Sequence, residues 1–146
     1  MMAWVFGKLP AHGDFVARGM DAATRGMLDD WLAAAMEAAR VRYPDFADRF
    51  DAAQPWRAEG NGVAGAIAAS QDAVGRRFPL LLLTDGDRHD PAACEELLYA
   101  AITEGWDVDR LAAVGAPPRR PVARWIGEDR SLNGARPVDL IGEMLA

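Results

Sequence analysis

This sequence predicts a single α/β domain built on a mixed central sheet, and three observations predict it. The run Arg77-Phe78-Pro79-Leu80-Leu81-Leu82-Leu83-Thr84 is continuously apolar at its centre, as expected of a strand buried on both faces under helices. Leu28, Trp31, Leu32, Ala35, Met36 and Ala39 recur at helical spacing, with Asp21, Arg25, Asp29, Arg40 and Arg42 largely off that stripe. Strand and helix signals then alternate along 146 residues without internal repeat or shift of composition, and that length suits one domain, residues 1–146. The resulting order β, α, β, β, β, α, α, β, α suggests helices on both faces of the sheet.

Each element has its own signal. Ala3–Gly7 is aromatic and β-branched, a short strand ended by glycine. Gly7 through Val16 contains two further breakers, Pro10 and Gly13, and reads as an irregular loop. The amphipathic helix follows and stops at Pro44. Phe46 and Phe50, four apart, predict another turn or two of helix on the same core. Gln54–Glu59 is a weak strand around Trp56, and Val63–Ala69 is a small-residue apolar strand. Gly75 and Asp85-Gly86-Asp87 bound the central run and favour strand over helix there. Asp90 and Pro91 open a helix as N-cap and first residue, with Leu97, Leu98, Ala101 and Ile102 inward and Gly105 as its exit. A short helix over Val108–Val114, a proline-rich loop over Ala116–Pro121, a strand over Val122–Ile126 and a helix over Val138–Leu145 complete the chain.

Composition removes several classes of function. A net charge of −6 disfavours nucleic acid, which calls for clustered basic residues. Lys8 is the one lysine among sixteen basic residues. The lone Cys94 leaves no internal disulfide and no cysteine set for zinc. No apolar stretch approaches the roughly 20 residues that span a bilayer, and the first residues lack a signal-peptide pattern. A cytoplasmic location is the expectation.

Catalytic motifs are weak. Gly60-Asn61-Gly62-Val63-Ala64-Gly65 fits the G-x-G-x-x-G of dinucleotide sites, and Asp85 stands where a ribose-binding acid would sit, which makes a nucleotide-dependent oxidoreductase the alternative. Against it, Pro55, Arg57 and Glu59 do not suit the buried parallel strand that should precede the glycines. The helix that should follow would be Ala-rich and end before Gly75. Gly7-Lys8 lacks the rest of a phosphate loop, with Leu9 in place of the hydroxyl. His12 and Asp14 have His89 as the remaining histidine, too few ligands for a metal site. Asp85–Asp90 lacks the spacing of a calcium loop. Glu95 and Glu96 beside Cys94 oppose a thiolate. No cofactor and no metal are expected.

Two segments exceed ordinary punctuation. Gly7-Lys8-Leu9-Pro10-Ala11-His12-Gly13-Asp14-Phe15 resembles the opening G-K-L-P-x-x-G-D-F of the TagF family of type VI secretion accessory proteins. Ser70-Gln71-Asp72-Ala73-Val74-Gly75-Arg76-Arg77-Phe78-Pro79-Leu80 is similar to that family's S-x-D-x-V-G-R-x-F-P-L, and Trp31 and Trp56-Arg57 stand where its pattern has similar residues. The resemblance implies a three-layer α/β/α sandwich without known catalytic activity. It also implies control of secretion-apparatus assembly after translation, usually as a repressor, with the forkhead-associated protein Fha as partner. Lys8, His12 and Arg77 are the surface candidates for that contact. Gly7, Pro10, Gly13, Gly75 and Pro79 would hold turns, with Phe15 and Phe78 in the core. If the strands flanking the two motifs are neighbours, Asp14 is expected to pair with Arg76, whose spare donors would reach loop carbonyls; Arg77 is the fallback partner.

Overall fold

The apolar run at Leu80–Thr84 is β5, an interior strand of a seven-stranded sheet. The computed structural model describes residues 2–146. In chain order the elements are β1 (Trp4–Gly7), β2 (Val16–Arg18), α1 (Ala22–Arg42), α2 (Phe46–Ala52), β3 (Trp56–Gly60), β4 (Val63–Ala68) and β5. Then come α3 (Pro91–Thr103), α4 (Val108–Ala112), β6 (Arg124–Ile126), β7 (Ser131–Asn133) and α5 (Leu140–Met144). The strand order is β2-β1-β5-β4-β3-β6-β7.

Every pairing is antiparallel, which corrects the expected mixed sheet. Parallel neighbours need a crossover of a dozen or more residues between adjacent strands. Here the helical excursions end elsewhere: the chain leaves β2 through α1 and α2 to reach β3, and leaves β5 through α3 and α4 to reach β6 beside β3. A strand buried on both faces asks for helices above and below, not for parallel neighbours.

Alternation along the strands feeds two cores. Phe6, Trp56, Ala58, Ile67, Leu81, Leu83 and Trp125 pack with α1, α2 and α5 on one face. Val5, Ala64, Ala66, Leu80 and Leu82 pack with α3 and α4 on the other. The α1 stripe is buried as predicted, its first turn capped by Asp21, whose carboxylate accepts from Thr24 N at 2.8 Å. Asp90 caps α3 in the same way, accepting from Ala93 N at 2.8 Å, with Pro91 in the first turn. Phe46 and Phe50 of α2 stack with ring centroids 5.5 Å apart.

Two strands escape the sequence reading. β2 lies just past the glycine-rich loop, and β7 follows a turn after β6; each has three residues and forms an edge of the sheet. α5 is shorter than the predicted helix over Val138–Leu145. The G-x-G-x-x-G segment is an antiparallel hairpin, with Gly60 paired to Val63 across the turn Asn61-Gly62 and Gly62 at φ +70°. A dinucleotide site needs a helix after its glycines so that the pyrophosphate meets a helix N-terminus; here the glycines lead into β4, and Gly65 lies in that strand. The alternative thus loses its structural basis.

Candidate functional site

β1 leaves the sheet at Gly7 and β5 enters it at Leu80, and these two residues are cross-strand partners. The loop after β1 and the loop before β5 therefore emerge at the same end of the sheet, which brings the two unusual motifs together. The approach is close: a Cβ on Gly7 (φ +131°) would be driven into the carbonyl oxygen of Pro79, so both backbone conformation and space demand glycine there. Lys8 N donates to Pro79 O at 3.4 Å, and Ser70 Oγ donates to Lys8 O at 2.7 Å.

Asp72 is the centre of the junction. Its side chain is fully buried, and Lys8 Nζ lies 3.3 Å and Arg76 Nε 2.7 Å from its Oδ2. Val74 N and Arg76 N donate to Oδ1 at 3.1 and 3.0 Å, so one carboxylate folds the turn Asp72–Arg76 around itself. Burial pushes this carboxyl up. The Arg76 N–H, the Arg76 guanidinium, the Lys8 ammonium and the Val74 N–H together outweigh burial and bring it down to about 2. The turn is tied across to the first motif twice, by Arg76 Nη2 donating to Gly13 O at 2.6 Å and Ala73 N donating to His12 O at 2.7 Å.

Several expected roles change. Asp14 does not pair with Arg76; its Oδ1 accepts from Phe15 N at 2.7 Å, and the carboxylate of Arg76 is Asp72, four residues before it. The two loops do emerge together, and the spare guanidinium donor of Arg76 reaches a loop carbonyl, that of Gly13. The acid nearer in sequence, already bonding the backbone of the same turn, took the ion pair. Lys8 is not a surface residue: it is 7% exposed, with its ammonium on Asp72 and 4.7 Å from the centre of the Phe15 ring. Phe15 is 38% exposed rather than a core residue, although its ring meets Phe78 edge-on at 4.8 Å and stacks on Phe6 at 6.1 Å. Phe78 is buried as expected.

His12 is half-buried, and its Nε2 accepts from Val108 N at 3.0 Å, tying the loop to the start of α4. Pro10 sits in the turn closed by His12 N donating to Leu9 O at 3.0 Å. Arg77 grips Asp51 at the end of α2 with both arms of its fork, at 2.7 Å each, and holds that carboxyl below its usual range. Gly75 occupies the turn at φ +86°. Trp31 and Trp56 are core residues away from this junction; Trp31 Nε1 donates to Pro137 O at 2.9 Å. Sequence reasoning gave Asp72 and Ser70 no role. The available signal was the pattern of an aspartate followed two to four residues later by Val74, Gly75 and Arg76, which suits a carboxylate bonding its own turn.

Among the described residues, no three of His, Cys, Asp and Glu gather closely enough to hold a metal ion. Burial raises the Cys94 thiol to about 11, far from a thiolate nucleophile. No helix among these residues is long and apolar enough to cross a membrane. The exposed parts of the junction are the tips Gly13–Phe15 and Ala73–Arg76, with Val74 71% exposed.

Comparison with known proteins agrees with the motifs. The crystal structure of PA0076 from Pseudomonas aeruginosa PAO1 superposes with a TM-score of 0.65 at 24% identity, over 98% of this chain and 76% of that one, a likeness of fold. No curated protein matches the sequence. The family model for the TagF N-terminal domain, type VI secretion system-associated, matches residues 4–114, a span that holds both motif loops and every strand of the sheet except β6 and β7. The chain belongs to that TagF N-terminal domain family and is a type VI secretion-associated protein.

Proposed function

We propose that the protein is a non-enzymatic regulator of type VI secretion assembly, a post-translational repressor, that acts in the cytoplasm by binding another protein through the joined loop tips. The observation that carries this reading is Val74: a branched apolar side chain 71% exposed at the head of a turn held in one shape by Asp72. A preorganised apolar knob loses little freedom on binding, which favours recognition. Phe15 adds exposed apolar surface on the loop to which that turn is tied through His12 O and Gly13 O, and His12 and Arg77 belong to the same two motifs. Lys8, Asp72 and Arg76 are engaged with one another in holding the loops, which suits a contact surface better than acid–base chemistry. The resemblance of the two motifs to the TagF family implies Fha as that partner.

Capture of the protein by immobilised Fha tests this. Val74→Asp should reduce capture by about tenfold or more with far-UV circular dichroism and Tm unchanged. Val41→Asp, at an equally open position on α1 (79% exposed), should capture like wild type. Full capture by Val74→Asp overturns the assigned surface, and no capture of the wild type overturns the partner.

A further inference from the structure

At the opposite end of β1 and β5, where Trp4 pairs with Leu83, a groove of about 230 Å³ opens between α1 and the segments on either side of β6. Its apolar walls include Leu28 and Trp31 of α1, Leu83 of β5 and Trp125 of β6. Trp31 and Trp125 lie 5.7 Å apart between ring centroids. Their indole N–H groups are already spent on the backbone: Trp31 Nε1 donates to Pro137 O at 2.9 Å and Trp125 Nε1 to Ala135 O at 3.3 Å. The two indoles therefore form an apolar floor without free donors, Trp125 fully buried beneath Trp31, and the open apolar surface is that of Trp4 and Met27.

The rim has one sign of charge. Among the described residues, Arg119, Arg120 and Arg136 line the groove and no carboxylate does, in a chain whose net charge is −6. The Arg119 fork is engaged by Asp87, at 3.0 and 3.1 Å. Arg120 and Arg136 are exposed, and neither forms an ion pair among the described residues. All three arginines lie beyond residues 4–114, so the C-terminal segment supplies the charge and the family-matched part supplies Trp4, Leu28, Trp31 and Leu83.

We infer that this groove is a second docking surface, for an acidic peptide segment that seats one aromatic or branched aliphatic side chain against Trp4, Met27 and the edge of Trp31 while its carboxylates meet Arg120 and Arg136. Volume and charge decide the class. The groove is smaller than the roughly 300–1,000 Å³ that drug-sized ligands and cofactors occupy, and it fits a single side chain. Two unpaired guanidiniums on a tryptophan-lined cleft match carboxylates flanking an apolar residue, because arginine forks bind carboxylates bidentately and opposite charge steers the encounter. The site is separate from the Val74 surface and does not depend on it.

The probe is a short synthetic peptide alternating glutamate with phenylalanine and leucine, titrated into the isotope-labelled protein while the five tryptophan indole N–H signals are followed. Trp4, Trp31 and Trp125 should shift, whereas Trp56 and Trp106, which do not line the groove, should stay. Binding should weaken with added salt, and R120E/R136E should weaken it on the order of tenfold with the fold intact by circular dichroism. Val74→Asp should bind the peptide like wild type, which separates this inference from the proposed function. The inference is overturned if no groove tryptophan moves, or if a peptide with lysine in place of glutamate binds equally well. It is also overturned if R120E/R136E binds unchanged, or if sedimentation shows a second copy of the chain filling the groove.

Discussion

Asp72 shows how one carboxylate joins two distant motifs, and Ser70, just before the turn, adds a tie across 62 residues by donating to Lys8 O. Asp72→Asn keeps an acceptor for the Val74 and Arg76 N–H groups but removes the charge that faces buried Lys8. The folded carboxyl lies at about 2 against an ordinary 3.8, so ionisation favours the folded state. That stability is complete above the ordinary value and is lost as pH falls through about 2. The Tm gap between wild type and Asp72→Asn should therefore be widest near neutral pH and close between about pH 4 and 2. At pH 7 it should exceed the gap for Asp109→Asn, whose ion pair with Arg18 is solvent-exposed and contributes about 0–1 kcal/mol. A gap that stays constant with pH would show that Asp72 acts through shape alone. The sequence displayed the partners of this network but not their pairing. Lys8, Asp14, Asp72 and Arg76 are all visible there, and the choice of Asp72 over Asp14 rests on a turn whose geometry exists only once Val74 and Arg76 bond back to Asp72.

Elements were legible where a long pattern had to satisfy a core. The α1 stripe, the Asp90-Pro91 start of α3 and the apolar run of β5 each carry several residues that agree with one another. β2 and β7 have three residues each at the sheet edges, where half the ladder is missing and the side chains need not be apolar on both faces. Pairing direction was illegible because it is fixed by which strands meet after the helical excursions, a long-range choice that local periodicity does not record. The β3–β4 hairpin is the case with functional weight. Its glycines serve a tight turn and a close strand contact, since a Cβ on Gly65 would strike the Leu82 carbonyl oxygen of β5. NAD, NADP and ATP should accordingly leave Tm unchanged. A true ligand at a hundred times its Kd would add about 2.7 kcal/mol, readily seen by thermal shift, and such a rise would return the hairpin to consideration as a nucleotide site.

The whole molecule is one sheet with a separate core on each face, and its two candidate surfaces sit at opposite ends of the same strand pair. Adjacent leucines of β5 alternate between the cores, Leu81 and Leu83 to one and Leu80 and Leu82 to the other, so neither core can lose its order while the strand survives for the other. One cooperative transition is the consequence, with far-UV circular dichroism and tryptophan fluorescence coinciding in urea. In a Trp106→Phe background, which removes the indole packed on the α3–α4 face, Trp4, Trp31, Trp56 and Trp125 report on the face of α1 and α5, while the circular dichroism signal includes α3 and α4. Substitutions on opposite faces share no packing partners and should add. Ile67→Val, in the core shared with α1, α2 and α5, should cost about 0.5–1.5 kcal/mol, and Leu98→Ala, on the buried face of α3, about 2–5 kcal/mol. The double variant should equal the sum within about 0.5 kcal/mol. Fluorescence that held steady while circular dichroism fell in Leu98→Ala would instead show the α3–α4 face opening by itself, and the sheet would then be the boundary between two units rather than the frame of one.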